Sequence, residues 1–350
     1  MHNKTPLHVI YLGQRGGGAK IALQIANELG VSNHFSVKSI CIRGDNEFSS
    51  EFDQSKVVPL FENLLSLKTL KNVILYLSLP KRLLAEPGIS RGDYCLVPML
   101  SPLGSLIEWQ LSRQGVNIVR LLHDFRRHPG DFWPLTFHLR RIIKKSVFLI
   151  ALSRNVANQT KIINPKIEVS IYPHPVFEFA TSASIKSRSP IYVLFIGRIR
   201  KYKGVHRLIT AFTEFNFEDT ELIIAGEGNL QCEENTNIKI INRWLKEKEI
   251  SELITNAEVI VFPYIEASQS GFIPYCKVLN KKIVVTPLSG LLEQTSSYEN
   301  VYVAKDFEAV SLAAALRTAL EASVTIPQEE VNIPKSLESC LLESSFFTKQ

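Results

Sequence analysis

Short β-branched runs alternate with longer amphipathic segments along the whole chain, and the alternation is played through twice. This is the pattern of βα units wound on parallel sheets, whose strands are covered on both faces and therefore read as nearly continuous apolar runs. The fold class is accordingly α/β, with two Rossmann-like doubly wound domains. In the first half, strands are predicted at Leu7–Leu12, Val37–Ile42, Lys56–Leu60, Asp93–Pro98, Asn117–Leu122 and Val147–Leu152. In the second half they fall at Ile191–Ile196, Glu221–Ala225, Ile238–Ile241, Val259–Pro263, Lys282–Thr286 and Val301–Ala304. Between the halves lies a small, polar stretch that ends in Pro190. The expected organisation is a first domain over 1–180, a linker over 181–190, a second domain over 191–325 and a tail over 326–350 that packs back on the first domain. Two such sheets joined by a hinge place the carboxyl ends of their strands around a central cleft, where open α/β sheets bind ligands.

The 350 residues suffice for two domains, and 45% hydrophobic with 21% charged content excludes a disordered or collagen-like chain. Five cysteines are scattered without a CxxC pair, which indicates neither a zinc ribbon nor a disulfide framework. No apolar run approaches the roughly 20 residues that cross a bilayer, and the opening run Leu7–Leu12 is too short for a secretory signal. The expected location is the cytoplasm. Residues 1–180 carry 22 Lys and Arg against 13 Asp and Glu, and the remainder 18 against 21, so the halves differ as +9 and −3. The first half is thus suited to an anionic surface or a phosphorylated ligand. Nucleic acid is not excluded by charge alone, but it is not an expected partner.

Three loops that follow predicted strands carry the chemistry. The first is Gly13-Gln14-Arg15-Gly16-Gly17-Gly18-Ala19-Lys20, which opens a helix reaching about Leu29. Glycines at a helix N-terminus let backbone N–H groups approach an oxyanion. A plain tight turn is the alternative. The spacing is not that of a dinucleotide fingerprint, and no acidic residue closes the second strand. The second loop, Gly197-Arg198-Ile199-Arg200-Lys201-Tyr202-Lys203-Gly204, substitutes cations for glycines. Arg198 and Lys203 suit one diphosphate between them, Arg through paired donors and Lys as a point charge, or else the loop is merely solvated. The third runs from Pro263 to Pro274, with Ser270 and Gly271 expected at a helix N-cap and Pro274 in its first turn. Glu266 is placed to accept hydrogen bonds from ligand hydroxyls, or stands idle on an exposed loop.

Order and spacing give these loops a family resemblance. The second half resembles the donor domain of glycosyltransferase family 4, retaining enzymes of the GT-B fold. Its G-R-hydrophobic-x-x-x-K-G element is similar to Gly197–Gly204, its hydrophobic-A-G-x-G element to Ile224–Gly228, and its P-Y-x-E-x-x-x-S-G variant to Pro263–Gly271. Its G-K-P and G-G-L-x-E elements resemble Asn280–Val284 and Ser289–Glu293. In the first half, Leu122-His123-Asp124 followed by His128-Pro129-Gly130-Asp131 resembles the H-D loop of members that build bacterial surface polysaccharides and lipopolysaccharide.

The resemblance implies transfer of a sugar from a nucleotide-diphosphate donor to a growing, lipid-linked surface glycan with retention of configuration. Arg198 and Lys203 would stabilise the leaving diphosphate in place of a metal ion. His123 would lie at the reacting sugar and Glu266 would hold its hydroxyls. Gly17, Gly197, Ser270, Gly271, Tyr275 and Glu293 would complete the donor side, and Gly16, Gly18, Asp124 and His128 the acceptor side. No metal or other cofactor is expected, since the nearest approaches to D-x-D, Asp45-Asn46-Glu47 and Glu51-Phe52-Asp53, read as polar loop. One departure matters. The family's E-x7-E lacks its second carboxylate here, because Pro274 stands eight residues after Glu266. Ribose binding then passes to Tyr275, Glu293 or backbone groups.

Residues 132–146 read as an amphipathic helix with Arg140, Arg141, Lys144 and Lys145 on one stripe and Leu135, Leu139, Ile142 and Ile143 opposite. Such a helix suits peripheral contact with anionic lipid on the inner face of the cytoplasmic membrane, or simply packs on the sheet with a wet back. Two other functions compete: a degenerate transferase that binds glycan or anionic membrane without turnover, and, with less support, a nicotinamide-dependent oxidoreductase.

Overall fold

The structure is a computed structural model. It describes residues 4–60, 87–99, 102–124, 135–146, 148–177, 179, 190–217, 219–230, 236–267, 269–325 and 335–348. The chain divides into two compact units: described residues to 124, 135–175 and 335–348 form one, and 176–325 the other. Residues 181–189 of the predicted linker, the loop carrying His128, and residues 326–334 of the tail lie outside the described residues.

The first unit is a seven-stranded sheet in the order β3-β2-β1-β4-β5-β6-β7. Its strands are β1 (Thr5–Tyr11), β2 (Phe35–Ile42), β3 (Val57–Pro59), β4 (Tyr94–Val97), β5 (Asn117–Leu122), β6 (Phe148–Ala151) and β7 (Glu168–Ile171). Every pairing is parallel. Helices α1 (Gly17–Gly30), α2 (Pro102–Arg113), α3 (Leu135–Lys145) and α4 (Arg154–Ile163) connect them. The central strands are buried along their length: Leu7, Val9, Cys95, Leu96, Leu149 and Ile150 expose no surface. The edge strand β7 escapes a reading by hydrophobic runs because all four of its residues are only half-buried, so it lacks the continuous apolar signal of its neighbours.

Strand order reverses between β1 and β4. At such a switch point the loops leaving two adjacent strands diverge to opposite faces of the sheet and leave a crevice at its carboxyl edge. The glycine loop follows β1, and Pro98 and Met99 follow β4, so the topology itself brings these two loops side by side.

The second unit repeats the arrangement with six parallel strands in the order β10-β9-β8-β11-β12-β13. They are β8 (Ile191–Ile196), β9 (Thr220–Ala225), β10 (Ile238–Ile241), β11 (Val259–Phe262), β12 (Lys282–Val285) and β13 (Val301–Val303). Helices α5 (Val205–Glu214), α6 (Glu247–Asn256), α7 (Ile273–Val278), α8 (Ser289–Thr295) and α9 (Ala309–Glu321) cover it. Its switch point lies between β8 and β11, the strands that feed the cationic loop and the loop of Glu266.

The end of the chain returns to the first unit as α10 (Leu337–Leu342) and α11 (Ser345–Thr348). The N-terminus of α10 is held by a carboxylate on α1, where unpaired helical N–H groups and the dipole favour negative charge. The Leu337 and Glu338 amides donate to Glu28 Oε1, and the Tyr172 hydroxyl donates to Glu28 Oε2 at 3.0 Å. Glu338 accepts from Ser32 Oγ at 2.6 Å and contacts His34 Nδ1 at 2.8 Å. Phe346 and Phe347 then pack against Phe35, Tyr94 and Phe148, the first residues of β2, β4 and β6. The tail therefore closes the amino edge of the sheet, opposite the switch point.

One buried ion pair ties α2 to β5. Arg120 Nε donates to Glu108 Oε2 at 2.6 Å, with the side chains 11% and 3% exposed, and Arg120 NH1 donates to Ser146 Oγ at 3.1 Å. Breaking such a pair strands a buried charge, which costs about 3–5 kcal/mol, whereas replacing both partners by apolar groups is often neutral. Arg120→Met is expected to lower unfolding free energy by that amount in urea titration, and Arg120→Met with Glu108→Leu to recover most of it.

Candidate functional site

In the second unit, the cationic loop leaves β8, makes a short 3-10 turn over Lys201–Lys203 and enters α5 at Gly204. Gly204 has φ of +67°, and a β-carbon there would stand 1.8 Å from the carbonyl oxygen of Pro263. No other residue type fits, so the loop after β8 lies directly on the loop after β11. Ile265 N donates to Tyr202 O at 2.7 Å across the same contact. On its other side Ile199 N donates to Glu227 O at 2.9 Å, which joins the loop to the turn after β9.

This scaffold aims the two cations. Lys203 is half-buried with its ammonium 3.6 Å from the ring centroid of Tyr264, a buried residue whose hydroxyl pairs with Ser270 Oγ at 3.0 Å. Arg198 is exposed, and its guanidinium lies 5.7 Å from the ring centroid of Trp244. Each cation thus lies against the face of a different aromatic ring, an electrostatic attraction that helps to position it. Glu266 is half-buried, its amide directed at Tyr202 O at 3.4 Å. Gly197 follows β8 at the base of the loop, with its amide on Ala225 O.

The third loop differs from the sequence expectation. Helix α7 begins at Ile273 and its N-cap is Phe272, not Ser270 or Gly271. The Ser270 amide donates to Gln294 Oε1 at 2.7 Å, and Gln294 Nε2 returns a bond to Ser270 O at 3.1 Å. That side-chain amide closes the peptide unit which an anion would have used, and it ties the loop to α8, which carries Glu293. Tyr275 also departs from its expected ribose role. It is 3% exposed, with its hydroxyl paired to Ser251 Oγ at 3.0 Å inside the unit. Tyr275 is therefore core. Glu293 is half-buried on α8.

In the first unit, the glycine loop is clamped by the segment after β2. Gly16, the N-cap of α1 with φ of 89°, donates its amide to Glu47 Oε1 at 2.6 Å. Asn46 Nδ2 donates to Gly13 O at 3.0 Å, and Glu47 N to Gln14 O at 2.9 Å. Asp45 is held bidentately by Arg43 at 2.8 and 2.7 Å. Asp45-Asn46-Glu47, read from sequence as polar loop, therefore shapes the glycine turn. Gly17 is exposed as the first residue of α1. Gly18 is buried, and a β-carbon on it would stand 2.7 Å from Met99 Sδ, the contact between the two loops of the switch point.

His123 directly follows β5. Its Nε2 lies 2.9 Å from Pro98 O, and desolvation holds its pKa below the ordinary value, against the pull of that carbonyl and of Asp124. Asp124 is half-buried. A second histidine joins them that sequence reasoning missed. His174 follows β7 in Pro173-His174-Pro175, is 9% exposed, and has Nδ1 2.9 Å from Pro175 O. Burial pushes its pKa down to about 4, and it lies within electrostatic reach of His123 and Asp124. The signal was a histidine boxed by prolines after a strand, hidden because the strand itself was unread. Among the described residues no group of three or more His, Cys, Asp or Glu is arranged to hold a metal ion.

Comparison with known proteins bears on what these loops belong to. Residues 178–332 match the family of glycosyl transferases group 1. The chain is similar in structure to sucrose-phosphate synthase from Thermosynechococcus elongatus, at 14% identity and a TM-score of 0.68, covering 91% of this chain and 90% of that one. The chain has the GT-B fold. This GT-B chain is also similar to the Anabaena protein HepE in complex with UDP-glucose, at 15% identity and a TM-score of 0.65 over 91% and 90% of the two chains. A putative UDP-N-acetylglucosamine 2-epimerase from Listeria monocytogenes matches at 10% identity and a TM-score of 0.65 over 91% and 89%. No curated protein sequence matches the chain. The fold thus spans transferase and epimerase neighbours, and the group 1 match falls on the unit that carries the cationic loop.

The packing at Gly204 gives a direct check. Gly204→Ala meets both the cost of a left-handed backbone, about 1–2 kcal/mol, and the Pro263 carbonyl. A thermal melt of this variant is expected to show a drop of several degrees relative to Gly30→Ala, a position with nothing within 4 Å of an added β-carbon.

Proposed function

We propose that this chain is a glycosyltransferase that moves a sugar from a nucleotide-diphosphate sugar to a growing, lipid-linked surface glycan with retention of configuration. The observation that carries the reading is the cationic loop: Arg198 and Lys203, on a loop fixed beneath Pro263, in the segment that matches the group 1 transferases. Cations held in place before reaction cost no reorganisation when charge develops on a departing diphosphate, and such groups supply one of the larger catalytic contributions. HepE, a structural neighbour, is complexed with UDP-glucose, which supports a nucleotide sugar as donor.

In this proposal the acceptor hydroxyl attacks the anomeric carbon on the face the diphosphate leaves. The new carbon–oxygen bond forms as the bond to the phosphate oxygen breaks, and the acceptor proton passes to that oxygen. Glu266 accepts hydrogen bonds from the sugar and Glu293 from the ribose. Arg198 and Lys203 serve in place of a metal. An oxidoreductase binding a nicotinamide dinucleotide on the first sheet would want a carboxylate closing β2, and the residue there is Arg43.

A thermal-shift screen against UDP, GDP, ADP and their sugars identifies the donor, since a ligand that binds only the native state raises the melting temperature. With that donor, Arg198→Ala and Lys203→Ala are each expected to lower turnover by about a hundredfold or more, while a chelator leaves it unchanged. Donor binding without turnover on any acceptor would instead favour a degenerate, non-catalytic transferase.

The proposed acceptor side includes contact with an anionic membrane. Residues 132–167 contain no Asp or Glu, and Arg140, Arg141 and Lys144 of α3 are exposed, as are Lys161 and Lys166 around the C-terminus of α4. Asn164 Nδ2 donates to Ile143 O at 3.0 Å and Ser146 O at 3.2 Å, joining the two helix ends, and Ile162 beside them is 80% exposed. Each such cation near an anionic surface contributes about 1 kcal/mol. Sedimentation with phosphatidylglycerol vesicles is expected, weakened at high salt and lost in Arg140→Glu with Arg141→Glu, with no binding to phosphatidylcholine vesicles.

A further inference from the structure

We infer that Gln294, Ser270 and Tyr264 form a relay of positioning residues for Lys203: they fix the aromatic face on which its ammonium rests, and with it the rate at which the diphosphate departs. This deepens the transferase reading and rests on it, because it names the side chains that keep one of the two cations aimed.

Lysine is a compact charge on a flexible four-carbon stem. A loop that fixes its backbone does not by itself fix its ammonium. At residue 203 the backbone is set by Gly204 beneath Pro263 O and by the Lys203 amide, which donates to Arg200 O at 2.9 Å. The ammonium lies 3.6 Å from the ring centroid of Tyr264, in direct contact with the face of that ring. Where the ring stands therefore bears on where the charge stands.

Tyr264 is 1% exposed and is held at both ends. Thr286 Oγ1 donates to Tyr264 O at 2.5 Å, which anchors its backbone to the residue after β12. Its hydroxyl lies 3.0 Å from Ser270 Oγ, which anchors the far end of the ring, and Phe262 meets the ring edge-on at 5.7 Å. Ser270 is 3% exposed and is placed in turn by Gln294. The Ser270 amide donates to Gln294 Oε1 at 2.7 Å, and Gln294 Nε2 donates to Ser270 O at 3.1 Å. Lys277 Nζ of α7 donates to Gln294 O at 3.3 Å, which ties that helix to the same turn of α8. The path from α8 to the ammonium thus runs through Ser270 and Tyr264 without a gap. Its hydroxyl junction is out of water, so a ring that swings away leaves a buried partner unsatisfied.

A lysine held in place before reaction needs no reorganisation as charge grows on the departing diphosphate. Cutting the tether leaves the charge but spreads the ring and the ammonium over several arrangements. The relay therefore acts through Lys203 and has no value without it. That property separates positioning from packing, because a packing defect slows turnover whether or not residue 203 is a lysine.

Ser270→Ala and Tyr264→Phe delete the same hydroxyl contact and keep the ring. Each is expected to melt within a few degrees of the parent chain and to lower turnover of the donor found in the thermal-shift screen by about three- to tenfold. The double variant is expected to lose no more than either single one. Gln294→Met keeps the length of the side chain, removes both bonds to Ser270, and is expected to have the same effect. In a Lys203→Ala background each of these changes is expected to cost less than about a further twofold. A second measurement needs no turnover. Groups over a ring face are shielded, so the ε-methylene of Lys203, observed in the full chain with 13C-labelled lysine and assigned by its loss in Lys203→Ala, is expected upfield of the other lysines. It is expected to move back toward them in Ser270→Ala and in Gln294→Met.

Parental turnover in Ser270→Ala and Gln294→Met, an ε-methylene signal that ignores both, or losses that multiply with that of Lys203→Ala would each overturn the inference. Failure of the transferase reading is a different result: no nucleotide or nucleotide sugar shifts the melting temperature and Lys203→Ala leaves turnover unchanged, while the ε-methylene signal still follows Ser270.

Discussion

The carbonyl oxygen of Pro263 occupies the place where residue 204 would carry a β-carbon, and the chemistry of the second unit depends on that contact. It is possible only because β8 and β11 are neighbours at the reversal of strand order. With Gly204 beneath Pro263, the amide of Ile265 reaches Tyr202, and Lys203 comes to rest over the ring of Tyr264. A cation on a free loop would sample solvent and lose most of its electrostatic value to screening. Here backbone contact between the two loops fixes where the charge is presented.

The first unit uses the same topological device for a different chemistry. Its switch point lies between β1 and β4, and the loops that leave these strands meet at Gly18 and Met99. Around them are a glycine turn clamped by an internal carboxylate, two neutral histidines and Asp124. The charge balance of the two halves is +9 and −3 over the sequence, yet the cationic loop lies in the negatively charged half. Exposed cations on α3 and α4 contribute to the positive charge of the first half. Net charge describes encounter with a surface; it does not describe the site.

Much of the fold was legible because parallel strands covered on both faces must be continuously apolar, and the twelve predicted strands each have a counterpart among the thirteen of the described residues. The missing one, β7, is short, half-buried and at an edge. Its omission hid His174, since a histidine gains meaning only when the strand before it places it at the carboxyl edge. The loops of the second unit were legible from glycines and cations at fixed spacing after strands. The N-cap at Phe272 and the buried hydroxyl of Tyr275 were not, because both follow from Gln294, Ser251 and the packing of α7 against its neighbours.

The sequence by itself determined the two doubly wound sheets, their strand positions and which loops carry charge or glycine, because periodicity and turn chemistry are local properties of the chain. Only the tertiary structure decided that residues 204 and 263 touch, that Gln294 closes the Ser270 amide, and that histidines 123 and 174 share one edge of one sheet. Those pairings join segments dozens of residues apart, and the order of strands within a sheet is set by the packing of the whole domain, which no local pattern encodes.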